Sequence, residues 1–167
     1  MTSEPGGYFL APVASALNLA QAEAILDHTL AAARAAGLLP LAVAVLDAGA
    51  QLVAFRREDG CGVLRFEIAR GKAHAALGMG ISSRMIRDRL RERPAFQSAI
   101  AAAADGRFIP VPGGVLVLDA AGQAIGAVGV SGDASDRDEY AAIAGITAAG
   151  LRPEPAQPAP GWQDAGL

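Results

Sequence analysis

Leu19, Ala22, Ile25, Leu26, Thr29, Leu30 and Ala33 recur at helical spacing, Asn18 and Gln21 form a capping-box pair ahead of them, and Gly37 supplies a stop. This pattern predicts a first helix from Asn18 to Gly37. Leu41 to Asp47 and Gln51 to Arg57 are short apolar runs flanking Asp47-Ala48-Gly49-Ala50, which reads as a hairpin. A break at Asp59-Gly60 leads to a second helix, Val63 to Met79. It carries one stripe at Leu64, Ile68, Gly71 and Ala75, and another at Phe66, Ala69, Ala73, Ala76 and Leu77. A helix apolar on two sides is expected between two layers or under another subunit. Ser82 caps a short arginine-rich helix, Pro94 opens a fourth, and Gly106 ends it. A second hairpin turns at Asp119-Ala120-Ala121-Gly122, and Ser135 to Ala149 closes the domain as a helix.

Residues 45 to 51, Val-Leu-Asp-Ala-Gly-Ala-Gln, nearly repeat residues 117 to 123, Val-Leu-Asp-Ala-Ala-Gly-Gln, so the same hairpin is used twice. Its second copy runs into Gly126-Ala127-Val128-Gly129-Val130-Ser131-Gly132, where glycines stand in place of packing side chains and something flat is expected close to the backbone. Hairpins rather than single strands alternate with the helices. That order predicts an α+β fold, an antiparallel sheet of about five strands flanked by helices in a profilin-like layering. The expected organisation is an N-terminal extension over 1–17, one domain over 18–150 and a Pro-rich flexible tail over 151–167, in which Trp162 is free to dock on a neighbouring surface.

With 167 residues, 52% of them hydrophobic, the chain can bury a core without a structural metal, and its single cysteine forms no internal bridge. Aromatics are only 5%, so the core is built from small residues with closely approaching backbones, which suits self-association. A net charge of -3 exerts no pull towards nucleic acid, and the arginines at 84, 87, 89, 91 and 93 lack the interleaved aromatics that stack bases. They read as a solvated helix face. Tyr8-Phe9-Leu10 has no basic residue ahead of it and Pro12 behind it, so it fails as a signal peptide, and no apolar run reaches a membrane span. The expected location is cytoplasmic.

Several pieces, taken in order, resemble one family. They are Val45-Leu46-Asp47-Ala48-Gly49, Arg56 with Asp59-Gly60, Ile68-Ala69-Arg70-Gly71-Lys72-Ala73, then Gly113-Gly114 through the Gly126 to Gly132 segment, and Asp138. The chain is similar over nearly all of Asn18 to Ala149 to the GlcG/HbpS-like proteins, described as haem-degrading or haem-binding domains. These domains occur alone and as the C-terminal part of some corrinoid adenosyltransferases. The resemblance implies an antiparallel sheet flanked by helices, homo-oligomers, and haem binding in some members, a few of which use a histidine on the first helix. Two departures add candidate ligands. Cys61 stands where a small residue usually follows Asp-Gly, and His74 where threonine or an aromatic commonly follows the Lys-Ala pair.

His28 points away from the apolar stripe of the first helix among Ala24, Ala31, Ala32 and Ala35, a face that a flat macrocycle can approach, and imidazole is an axial ligand of haem iron. His74 lies one turn after Arg70 and is the other candidate for iron. Lys72 sits in the doubly buried helix and needs a partner: Asp59, Asp133, Asp136 or a ligand carboxylate. With Arg56 it fits a pocket for haem propionates or small carboxylate substrates. Cys61, ahead of a helix N-terminus, reads as an ordinary buried thiol or as a nucleophile with a favoured thiolate. Asp133, Asp136, Asp138 and Glu139 fit the cap and first turn of the closing helix.

The first reading is therefore a homo-oligomeric binder of haem or a related planar, carboxylated small molecule, in a pocket between the first helix and the glycine-rich strand. There Gly113, Gly114, Gly129 and Gly132 would admit the ligand to backbone amides. The alternatives are an enzyme of small-molecule catabolism using Lys72 with Asp59, or Cys61 with His74, and a non-catalytic accessory subunit. The enzyme reading expects Lys72→Ala to abolish turnover and keep the fold.

Overall fold

The computed structural model describes residues 11–167, so the Tyr8-Phe9-Leu10 patch lies outside the described residues. The elements are α1 (Leu19–Ala35), β1 (Ala42–Asp47), β2 (Leu52–Arg57), α2 (Arg65–Met79), α3 (Ser83–Leu90), α4 (Pro94–Ala103), β3 (Gly114–Leu118), β4 (Ala124–Ser131), α5 (Ser135–Ala148) and β5 (Arg152–Glu154). The strands form one antiparallel sheet in the order β2-β1-β4-β3-β5, with the two hairpins joined through the β1–β4 pairing at its centre.

Alternation along the central strands sorts the layers. Val43, Val45, Val115, Val117, Val128 and Val130 point to one face, where they pack with Ile25, Leu26, Ala142 and Ile146 of α1 and α5. Leu46, Leu116 and Ala127 point to the other and pack with Ala73 and Ala76 of α2. Helix α2 is itself covered from outside, since Ala75 joins Ile86, Leu90 and Phe108 in a third cluster. Apart from exposed Leu64, its two apolar stripes are thus covered within one protomer, by the sheet and by the α3/α4 layer.

The caps behave as their chemistry requires. Asn18 accepts from the Gln21 amide at 2.8 Å, and the Gln21 side chain accepts from the Asn18 amide at 2.9 Å. Both hairpins share one construction. Asp47 Oδ1 accepts from the amides of Gly49 and Gln51, Asp119 Oδ1 from those of Ala121 and Gln123, and the register shifts at Val45/Leu46 and again at Val117/Leu118. They differ at the left-handed position, which is Gly122 (φ 81°) in one and Ala50 (φ 60°) in the other. A Cβ is strained there. Ala50→Gly is expected to raise stability by about 0.5–1 kcal/mol, read as a higher urea midpoint at unchanged slope.

The tail departs from expectation. Arg152 to Glu154 add β5 to the free side of β3, with Pro153 on this edge strand, where a missing N–H is tolerated. Beyond it, the Trp162 ring stacks on Tyr140 of α5 with centroids 3.7 Å apart, Arg84 donates to the Gln157 carbonyl at 3.0 Å, and Arg137 to that of Gln163. An edge strand and a single aromatic anchor leave no periodic trace, which is why the tail read as flexible. At the other boundary, Leu17 is buried in the main core rather than belonging to an extension.

Candidate functional site

Lys72 is 1% exposed. Its ammonium donates to Asp138 Oδ2 at 2.9 Å and to the Val130 carbonyl at 2.9 Å. The expected partners Asp59, Asp133 and Asp136 are not used; the first turn of α5 supplies Asp138 instead, whose other oxygen accepts from the Asp133 amide at 3.0 Å. Burial pushes the Asp138 carboxyl up to about 6 against the attraction of Lys72, and burial also lowers the Lys72 ammonium. Buried and engaged by two acceptors of its own chain, Lys72 forms a structural pair, and Lys72→Ala is expected to damage the fold rather than spare it.

The glycines of the expected pocket are closed by the chain itself. A Cβ on Gly129 would lie 1.8 Å from the Ala69 carbonyl oxygen, on Gly114 2.2 Å from that of Lys72, on Gly132 2.2 Å from that of Pro40, and on Gly113 2.8 Å from that of Val130. The flat object against the glycine-rich strand is helix α2. The expected pocket between α1 and β4 is filled by core side chains, and α1 and α2 stand on opposite faces of the sheet. His28 and His74 therefore cannot meet one ligand within a protomer.

Arg56, on β2, reaches α1 and pairs with Glu23 and Asp27. It lines a cavity of about 570 Å³ together with Leu30, Arg34, Pro40, Arg57, Glu58 and Asp59. Arg56 and Asp59 are thus brought together, but away from Lys72. Helix α2 begins at Arg65, too late for its N-terminus to serve Cys61, and burial raises the thiol. His74 lies nine residues further along α2, about 13 Å down the axis, so the Cys61–His74 pairing is not formed.

Two features escaped the pattern. Glu139, read as a first-turn acid, is fully buried, and burial pushes it up to about 7 while Arg84, 3.1 Å away, opposes the shift. Arg84 accordingly leaves the solvated arginine face, whereas Arg87 and Arg91 stay on it and pair with Asp88. The second feature is the surroundings of His74. Its ring borders a cavity of about 200 Å³ lined by Gly78, Met79, Ile100, Ala103, Ala104 and Phe108, and a neighbouring cavity of about 180 Å³ shares Met79 and adds Ile81, Ile86, Leu90 and Phe96 with Arg89 and Arg93. His74 Nδ1 is buried without a hydrogen-bond partner. Burial, then the guanidinium of Arg107 and more weakly that of Arg70, lower its pKa, with the Arg107 backbone opposing in part. A lowered pKa favours the neutral imidazole, which is the ligating form. His28 is exposed on the outer face of α1, beside exposed Ala31 and Ala35.

Among the described residues no cluster of three His, Cys, Asp or Glu side chains could hold a bare metal ion, and no helix is long and apolar enough to cross a membrane. A macrocycle that brings its own four nitrogen ligands needs only one imidazole from the protein, and His74 beside an apolar cavity fits that demand.

A five-stranded antiparallel sheet with α1 and α5 on one face and α2 on the other, screened by α3 and α4, defines a small α+β class of domain. The chain belongs to the haem degrading protein HbpS-like family, whose pattern it matches over residues 17–147. No curated protein matches it. Among solved structures it is similar to PduOC in a complex with heme, at 20% identity and TM-score 0.72 over 81% of this chain and 96% of that one. It is also similar to the Klebsiella pneumoniae DUF336 protein ORFY, at 21% identity and TM-score 0.72 over 89% and 98%. HbpS matches at 25% identity and TM-score 0.68 over 88% and 97%.

Proposed function

We propose that the protein binds haem, or a closely related planar and carboxylated macrocycle, with His74 as the iron ligand in the cleft between α2 and α4. The observation that carries this reading is a half-buried histidine with an unpartnered Nδ1 bordering an apolar cavity, where a single axial ligand is the whole requirement. Membership of the HbpS-like family and the likeness to a heme-bound domain support it. Self-association belongs to the same reading, because Val63 and Leu64, 77% and 68% exposed, lie side by side ahead of α2. The ligand named by this reading is a small molecule and not a nucleic acid, in keeping with the net charge of -3 and an arginine face partly neutralised by Asp88.

His28 keeps a place as a second candidate through its exposed, alanine-carpeted face, where a second copy of the chain would have to complete the site. A hemin titration of wild type, His28→Ala and His74→Ala separates the two. A saturable Soret shift is expected, lost in His74→Ala and kept in His28→Ala; the reverse moves the site to α1. No shift in wild type removes haem and turns the search to small carboxylates in the 570 Å³ cavity beside Arg56 and Asp59.

A further inference from the structure

Two arginines, Arg70 and exposed Arg107, flank the cleft at His74. Arg70 stands one turn before His74 on the same helix, so the two side chains share a face. Its Nε is buried and has no hydrogen-bond partner. Arg107 approaches from the segment after α4, and its Nε donates only to the nearby Ala104 carbonyl at 3.3 Å. Among the described residues neither guanidinium has a carboxylate within ion-pairing distance, although eight other ion pairs form. Arg107 adjoins Phe108, which lines the cavity beside His74 together with Ala104, the acceptor of Arg107.

A buried guanidinium nitrogen without an acceptor is costly, and an arginine fork is matched to a carboxylate. We infer that Arg70 and Arg107 hold a free carboxylate of the ligand seated at His74, so that the cleft selects an acidic macrocycle over its neutral esters. This rests on the haem reading for the ligand class. The arrangement assigns separate tasks to the two kinds of side chain: His74 meets the metal at the ring centre, and the arginines meet the charged periphery.

The test uses the full chain and three probes: hemin, hemin dimethyl ester and metal-free protoporphyrin IX. Binding is followed by the Soret band or by porphyrin fluorescence, and circular dichroism confirms that each variant folds. Methionine at 70 and 107 keeps much of the apolar stem. Wild type is expected to bind hemin about tenfold or more tightly than the ester. In Arg70→Met/Arg107→Met that preference disappears, through weaker hemin binding, while the Soret position stays that of histidine-ligated iron. Protoporphyrin IX, which has the carboxylates and no iron, is expected to depend on the arginines and not on His74. An acid-over-ester preference that survives in the double variant, or is absent in wild type, overturns the inference and leaves ligation by His74 standing. Arginine-dependent binding of protoporphyrin with hemin binding unaffected by His74→Ala removes the iron ligand and keeps the carboxylate site. No binding of any probe by wild type overturns both.

Discussion

Gly129→Ala is expected to collapse the fold although it adds a single methyl group. That carbon would sit 1.8 Å from the Ala69 carbonyl oxygen, 2.7 Å from its carbon and 3.1 Å from Ala73 Cβ. The first two are backbone atoms of α2 and cannot turn aside as a side chain would. The helix must instead lift off the sheet, which opens the layer formed by Leu46, Leu116 and Ala127 against Ala73 and Ala76. The same shift pulls Lys72 away from Asp138. We expect a loss of about 4 kcal/mol or more, at the severe end for one substitution, and a melting temperature lower by about 10 °C or more. Gly78→Ala is the control. It lies in the same helix, nothing stands within 4 Å of its added carbon, and Ala exceeds Gly in helix propensity by about 1 kcal/mol. It is expected to be neutral or stabilising. A folded Gly129→Ala protein with unchanged melting would show that the helix–sheet contact is looser than the structure places it.

The glycine-rich strand also shows where reading a sequence stops. Glycines spaced along β4 announce a close approach but not what approaches, and a ligand and a helix leave the same mark. The local signals were legible because their partners lie a few residues away: the Asn18–Gln21 cap, the duplicated Asp47 and Asp119 turns, and the two-sided apolar pattern of α2. The partner of Lys72 is 66 positions distant, and nothing local distinguishes Asp138 from its acidic neighbours. Half of the His74 cleft comes from Ile100, Ala103, Ala104 and Phe108, on α4 and the segment after it, at least 26 positions away, so the histidine could be nominated and its surroundings could not. Arg56 was nominated for a ligand and is engaged by Glu23 and Asp27, because charge on a strand does not reveal which helix crosses it.

The Lys72–Asp138 pair supplies the other large effect, and its sign depends on pH. Both shifts run in the costly direction, Asp138 upward and Lys72 downward, so burial outweighs attraction for each partner. A carboxyl whose folded pKa is raised to about 6 holds its proton more tightly in the folded state than in the unfolded chain, where the value is about 3.9. Its contribution is therefore fully present at low pH and declines as pH rises from about 4 through about 6. Lys72→Met removes the attraction that restrains Asp138, raising that carboxyl further and extending the decline to higher pH. At pH 8 the variant buries an unpaired carboxylate and leaves the Val130 carbonyl without its donor, and a loss of about 3–5 kcal/mol is expected. At pH 5 Asp138 takes up a proton and the deficit shrinks. Adding Asp138→Asn to Lys72→Met removes the unpaired charge while retaining an acceptor for the Asp133 amide, and is expected to recover at least about half of the loss at pH 8. Urea denaturation of the four proteins at both pH values decides the matter. Equal deficits at pH 5 and pH 8, with no recovery in the double variant, would mean that the pair does not carry this charge. Loss of any activity in a Lys72 variant then has to be read against its stability at the same pH, since an ammonium enclosed by Asp138 and Val130 acts on the fold before it can act on a ligand.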